Sequence, residues 1–256
     1  MPWPQQAPYL IEPGFKDYEI CALSDSYHAA EPFKYVVADN FLPKRHVKFL
    51  SDNFPSRSHP VWLDWKKRSP HQYGKQGPGC SRNFHLLDPH FRLALQEFNA
   101  ATFLSFLEEL TGIKKLLPDP YFTGGGIHQI LKGGILDVHT DFNKYERLGL
   151  YRALNVLIYL NGEWSPSFGG ELELWDKSPK LGGKPVKSIP PVYNRMVVFR
   201  TDKKSFHGHP NEWVAPEKIT RRSIALYYYT SEPIDDGVYD ANTDFMGVVS
   251  KVLPVD

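Results

Sequence analysis

The sequence predicts a mainly β fold with flanking helices, a sandwich or barrel packed against a helical and looped N-terminal part. Three observations predict it. From Gly126 to Tyr229 the apolar residues fall in short runs of four to eight, not in long helical stripes. Turn signals separate those runs: Gly133-Gly134, Asn161-Gly162, Gly169-Gly170, Gly182-Gly183, Pro190-Pro191 and Pro210-Asn211. The composition, with 22 prolines and 14% aromatic residues, suits many turns joining half-buried pleated surfaces.

The elements follow in order. The residues before Tyr35, with Pro2, Pro4, Pro8, Pro13 and Pro32, read as an extended arm. Tyr35 to Ala38 reads as a short strand, Asp39 to Pro43 as a turn, and Lys44 to Phe54 as a helix. Ser56 to Arg82 is polar and broken by proline and glycine, a long loop of the kind that covers sites. Phe91 to Leu110 carries the strongest helical periodicity, ending at Gly112 and Pro118. Strands are then expected at 126–131, 135–139, 153–160, 171–175, 186–189, 196–199 and 223–229. The whole reads as one domain, with a helical and looped part over 1–120, a β core over 121–230 and a tail over 231–256.

Composition narrows the function classes. Among 256 residues, 30 Lys and Arg balance 29 Asp and Glu, so nothing drives the chain toward nucleic acid or an anionic membrane. Two cysteines, Cys21 and Cys80, make no disulfide framework. Apolar runs such as Val156 to Leu160 are far short of the roughly 18 residues of a membrane span. The first residues, Met1-Pro2-Trp3-Pro4, have neither a basic nor an apolar leader region. A cytoplasmic location and a small-molecule partner are the expectation, with no reading of oligomeric state.

The chemistry starts at His139-Thr140-Asp141. Residues i and i+2 of a strand point to one face, so an imidazole and a carboxylate leave it side by side. His207 supplies a second imidazole. Two His and one carboxylate on one face of an ion leave three open positions, the facial triad of non-haem Fe(II) oxygenases. His209 shares a face with His207 and is its rival. Arg221 and Ser223 share a face by the same rule, and a guanidinium beside a hydroxyl suits a carboxylate. Arg222 is the rival there and reads as outward and solvated.

With these residues in place, the sequence resembles the Fe(II)/2-oxoglutarate-dependent dioxygenases, in their prolyl 4-hydroxylase-like branch. The resemblance spans about 121–230. It rests on Gly133-Gly134-Ile135-Leu136-Asp137-Val138-His139-Thr140-Asp141, Asn155 to Asn161, Gly169-Gly170-Glu171-Leu172, Asn194 to Phe199, Ser205 to Pro210 and Arg221 to Leu226. An HxD motif alone is weak, whereas the ordered set is specific. The resemblance implies a double-stranded β-helix, or jelly roll, with iron at its mouth. It implies His139, Asp141 and His207 as ligands, and Arg221 with Ser223 on the far carboxylate of 2-oxoglutarate. Gln129 stands near the position where the family often has a cosubstrate-binding Tyr. The implied cofactors are Fe(II), 2-oxoglutarate and O2, with ascorbate as a further candidate. The implied reaction hydroxylates an unactivated C–H bond of a small or amino-acid-like substrate and releases succinate and CO2. Asp141 favours hydroxylation, since related halogenases carry a small residue there.

Candidates for the mouth are Phe142, Asn143, Tyr145, Trp175 and Arg82. His128 reads equally as a pocket or a core residue, and Asn155 as a pocket donor or a member of a buried network. The alternatives are a prolyl 4-hydroxylase acting on a peptide or protein, a non-catalytic jelly-roll binding or sensing module, and a Zn(II) hydrolase using the same ligands. Only the first has use for Arg221 as a cosubstrate anchor.

Overall fold

Two antiparallel sheets share a filled interior in the computed structural model, which describes residues 17–64 and 69–249. In chain order the elements are α1 (Asp17–Ala29), β1 (Tyr35–Ala38), α2 (Lys44–Asp52), β2 (Leu63–Asp64), β3 (Lys75–Gly77), α3 (Pro89–Glu97) and α4 (Ala101–Thr111). There follow β4 (Gly126–Ile130), β5 (Leu136–Thr140), β6 (Lys144–Tyr145), β7 (Leu150–Tyr159), β8 (Leu172–Trp175), β9 (Pro185–Ile189) and β10 (Met196–Arg200). The last are β11 (His207–His209), β12 (Arg221–Thr230) and β13 (Asp244–Phe245). The major sheet runs β1-β10-β7-β12-β4-β3-β2, with β6 paired to β7, and the minor sheet runs β13-β5-β11-β8-β9.

Strand parity sorts the side chains. Along β7, Leu154, Val156 and Ile158 join one cluster with the helices, while Leu157 and Tyr159 join the cluster between the sheets. β10 does the same, with Met196 and Val198 toward the helices and Val197 and Phe199 toward Leu172, Leu174 and Ile189 of the minor sheet. The helices therefore cover the outer face of the major sheet, and its inner face meets the minor sheet. Each fully buried aliphatic side chain contributes about 1.5–3 kcal/mol.

The expected β core is present, and its strands match the predicted runs to within three residues at either end. Four readings are corrected. The arm contains a helix, α1, on a proline-free stretch whose Ile20, Leu23 and Tyr27 make a narrow stripe on the core. The single helix at 91–110 is two. α3 begins at Pro89 behind the Asp88 cap, whose carboxylate accepts from the His90 N–H at 2.8 Å. It ends where Asn99 turns its amide to the Asp119 carbonyl, 2.9 Å away, and α4 restarts at Ala101. The loop over 56–82 contains β2 and β3, which extend the major sheet. Within the tail, β13 pairs with β5, placing Phe245 opposite His139. The prolines before Asp17 and the end of the tail, 250–256, lie outside the described residues.

Candidate active site

β5 and β11 are neighbours in the minor sheet, and their register sets His207 opposite His139. Gly208 makes this closeness possible, since a Cβ there would stand 2.8 Å from the Leu136 and Asp137 carbonyl oxygens. Asp141 leaves the end of β5 on the His139 face, and ligand atoms of His139, Asp141 and His207 lie within 4.8 Å of one another. The Nε2 atoms of His139 and His207 stand 3.6 and 3.4 Å from the Asp141 carboxylate. All three side chains are buried.

Their hydrogen bonds suit a metal. His139 Nδ1 meets the Asp137 carbonyl and His207 Nδ1 the Ser205 carbonyl, each at 2.8 Å. A carbonyl only accepts, so each Nδ1 carries the proton and each Nε2 offers a lone pair inward. Burial, then the neighbouring His207 imidazole, pulls the His139 pKa below its ordinary value, which favours the neutral ring. Burial would push the Asp141 carboxyl up, but the Arg152 guanidinium beside it overrides this and holds it well below the usual carboxylate range. Two imidazoles with Nε2 turned inward and a carboxylate, closed on one side by protein, fit a divalent ion with open positions.

Asp141 is itself held. Asn155 Nδ2 donates to its Oδ2 at 2.6 Å and Arg152 Nη2 at 3.2 Å, while Arg152 also donates to Asn155 Oδ1. A register shift opposite Tyr228 and Tyr229 brings Arg152 and Asn155 to one face of β7. The Arg152 guanidinium lies 3.5 Å from the Tyr227 ring centre and 4.7 Å from that of Phe142. Its Nη1 is buried with no hydrogen-bond partner among the described residues.

The triad opens on a cavity of about 180 Å³ that Arg221 and Ser223 of β12 also line. Arg221 Nε donates to the Gly170 carbonyl at 2.6 Å, and Nη2 to the Tyr159 hydroxyl at 3.2 Å. Gly170 has φ +74°, and a Cβ on it would press 2.6 Å from the Trp213 ring and 3.1 Å from Arg221 Cδ. The glycine pair read as a turn is therefore also the seat of this arginine. Arg222 points the other way, over the Phe54 ring at 5.0 Å. His209 faces the same cavity but lies outside the ligand cluster, and neither ring nitrogen has a hydrogen-bond partner among the described residues. Burial pulls both His128 and His209 well below the ordinary imidazole value, so both line the cavity neutral.

Several expected residues stand elsewhere. Gln129 shares the face of Ile127, toward the outside of the major sheet, where Nε2 donates to Gln76 Oε1 at 2.7 Å. Its neighbour His128 is the one that lines the cavity. Trp175 sits on the outer face of the minor sheet with Val138 and Met246, because Leu172 and Leu174 take the inward phase of β8. Asn143 is spent on backbone, donating to the Val238 carbonyl and accepting from the Asp240 N–H. Tyr145 and Arg82 line a second cavity. Phe142 and Asn155 do line the first.

Two charged cavity residues escaped the sequence reading. Lys75, on β3, enters the cavity from the expected loop, and burial pushes its ammonium pKa down to about 8. Arg152 left one signal, a charge within the apolar run of β7. The charged lining is thus Lys75, Arg152 and Arg221 against Asp141, an excess of positive charge suited to an anionic ligand.

Residues 125–229 match the family model described as the 2OG-Fe(II) oxygenase superfamily. Over 79 residues the chain is 34% identical to the mouse prolyl 3-hydroxylase OGFOD1, a match covering 30% of this chain and 14% of the mouse protein. Among solved structures, a prolyl hydroxylase from Trichoplax adhaerens, in complex with a hypoxia inducible factor peptide fragment, superposes with TM-score 0.53 at 20% identity. That match covers 83% of this chain and 91% of that one. HygX from Streptomyces hygroscopicus, with nickel, 2-oxoglutarate and hygromycin B bound, gives TM-score 0.56 at 11% identity over 87% of this chain and 97% of that one. These likenesses give the fold as a jelly roll flanked by helices. Over residues 125–229, its β core, the chain is therefore similar to the 2OG-Fe(II) oxygenase superfamily.

Proposed function

We propose that the chain is an Fe(II)- and 2-oxoglutarate-dependent oxygenase that hydroxylates an unactivated C–H bond of a small molecule or amino-acid-like unit. One observation carries the reading: His139, Asp141 and His207 meet at a cavity that Arg221 and Ser223 also line. The two Nε2 lone pairs and the Asp141 carboxylate hold the metal. Bound iron with 2-oxoglutarate and dioxygen supplies the oxidising power, and the cosubstrate leaves as succinate and CO2. Arg221 and Ser223 receive the far carboxylate of 2-oxoglutarate. Asn155 and Arg152 fix the orientation of Asp141, so that the carboxylate does not turn away. Leu157, Leu172 and Phe199 line the cavity with apolar surface and exclude water.

Anaerobic addition of Fe(II) and 2-oxoglutarate tests this. We expect a weak visible charge-transfer band, and succinate formation on admitting air. His139→Ala and Asp141→Ala each abolish both. A folded, metal-loaded protein without the band overturns the reading.

A second reading, oxidation of a prolyl residue in a peptide or protein, is favoured by the 34% identity to the mouse prolyl 3-hydroxylase. A turnover screen over free amino acids, small metabolites and proline-containing peptides, with mass detection of a gain of one oxygen, separates the two.

A further inference from the structure

A second cavity lies beside the first and differs from it in kind. Its volume is about 710 Å³, against about 180 Å³ for the cavity at the triad. The wall between them is thin. Thr123 lines the larger cavity and Gly124 the smaller. Tyr145 lines the larger and Phe142 the smaller, with ring centres 6.4 Å apart.

The charged residues among its described lining are Arg82 and Arg147, with no carboxylate beside them. The Arg147 guanidinium rests 3.8 Å above the Tyr121 ring, and neither arginine has an ion-pair partner among the described residues. The walls are tied in place. Ser81 N donates to the Tyr121 carbonyl at 2.8 Å, and Gly124 N to the Gly79 carbonyl at 3.0 Å. The buried Asp119 carboxylate accepts from Tyr121 N at 2.9 Å and Thr123 N at 3.0 Å. The Thr123 and Tyr145 hydroxyls meet at 2.7 Å, adding polar groups to the same wall. Two exposed guanidiniums with no ion-pair partner among the described residues, beside an aromatic face and hydroxyls on a backbone already fixed, are groups that suit an anion.

The two carboxylates of 2-oxoglutarate already have partners in the first cavity, so these arginines answer a separate demand. We propose that the second cavity is a subsite for an anionic group, a phosphate or a carboxylate, carried by the small-molecule substrate away from the C–H bond that is oxidised. This rests on the oxygenase reading above. The small cavity takes the cosubstrate and the reacting end of the substrate. The body of the substrate crosses the wall at Gly124 and Phe142 and lies in the larger one.

The test loads the full chain with Zn(II) and saturating 2-oxoglutarate, then titrates phenyl phosphate, benzoate and neutral benzamide by calorimetry. We expect at least one anion to bind about tenfold more tightly than benzamide, and to weaken as NaCl is raised. The tighter anion identifies phosphate or carboxylate as the group. The Arg82→Gln/Arg147→Gln double variant loses roughly tenfold in that affinity, and Arg82→Lys/Arg147→Lys retains most of it. Equal binding of benzamide and the anions overturns the proposal. So does salt-independent binding, or a folded double variant that binds as the wild type does. Succinate release with Fe(II) and air separates the two readings. Arginine-dependent anion binding without succinate refutes the oxygenase and leaves the subsite. Succinate without arginine-dependent binding refutes the subsite alone.

Discussion

The two sheets divide the labour of the molecule. The major sheet has two strands of 10 residues, β7 and β12, paired with each other and backed by four helices. The minor sheet has β11 with 3 residues, β8 with 4 and β5 with 5, yet it carries His139 and His207 and leads into Asp141. Its order comes from specific polar bonds. The buried Asp137 carboxylate accepts from the backbone of Gly247 and Val249 and from His71 Nδ1. Glu173 accepts from Asn211 at 2.8 Å and Trp175 at 3.1 Å. The contrast teaches that stability resides mainly in apolar area on one wall, while ligand geometry depends on a few directional bonds on the other.

Three variants break or sharpen that contrast. The largest effect is expected at Ile158, fully buried between Met196 and Ile224 on neighbouring strands. Ile158→Ala should cost about 2–5 kcal/mol in denaturant unfolding while the folded fraction still binds one metal. Loss of metal binding by folded molecules would show that the two walls are not separable. Asn155→Ala reaches across, since Asn155 belongs to the major sheet and grips Asp141. It should lower metal affinity about 10–100-fold, with a smaller stability loss than Ile158→Ala. An unchanged affinity would mean that Arg152 alone orients the carboxylate.

The smallest effect is at the Asp39–Arg195 pair, beside β1 and β10, where Asp39 is 52% exposed. Two hydrogen bonds from Arg195, at 2.6 and 2.8 Å, hold the Asp39 carboxyl below its ordinary value. The pair's contribution, at most about 1 kcal/mol, is complete above the usual carboxylate pKa near 4. It is lost as pH falls through the lower folded value. Asp39→Asn should therefore lower Tm slightly at neutral pH, and the difference from wild type should shrink in acid.

The legible parts of the sequence share a cause. Where a strand is long and apolar, the run itself marks it, as at Ala153 to Leu160, and the HxD pair has its common face from the i, i+2 rule. Gln129 misleads because β4 is buried on both faces, so apolarity carries no phase and the inward residue proves to be His128. Lys75 and the short strands β2 and β3 lie in a polar stretch without period, where pairing to β4 makes the structure. β11 has only three residues, too few for any pattern, and its place comes from long-range register. In α1 three apolar positions are a weak signal beside the prolines that flank it.

β13 has one more consequence. Phe245 sits opposite His139 in the sheet, with its ring stacked on His71. A ribosome delivers residue 245 long after residue 139. Until it emerges, the strand bearing the first imidazole is a bare border with unsatisfied amides. Closure of that border by β13 thus ties the first imidazole to a strand that lies far along the chain from it.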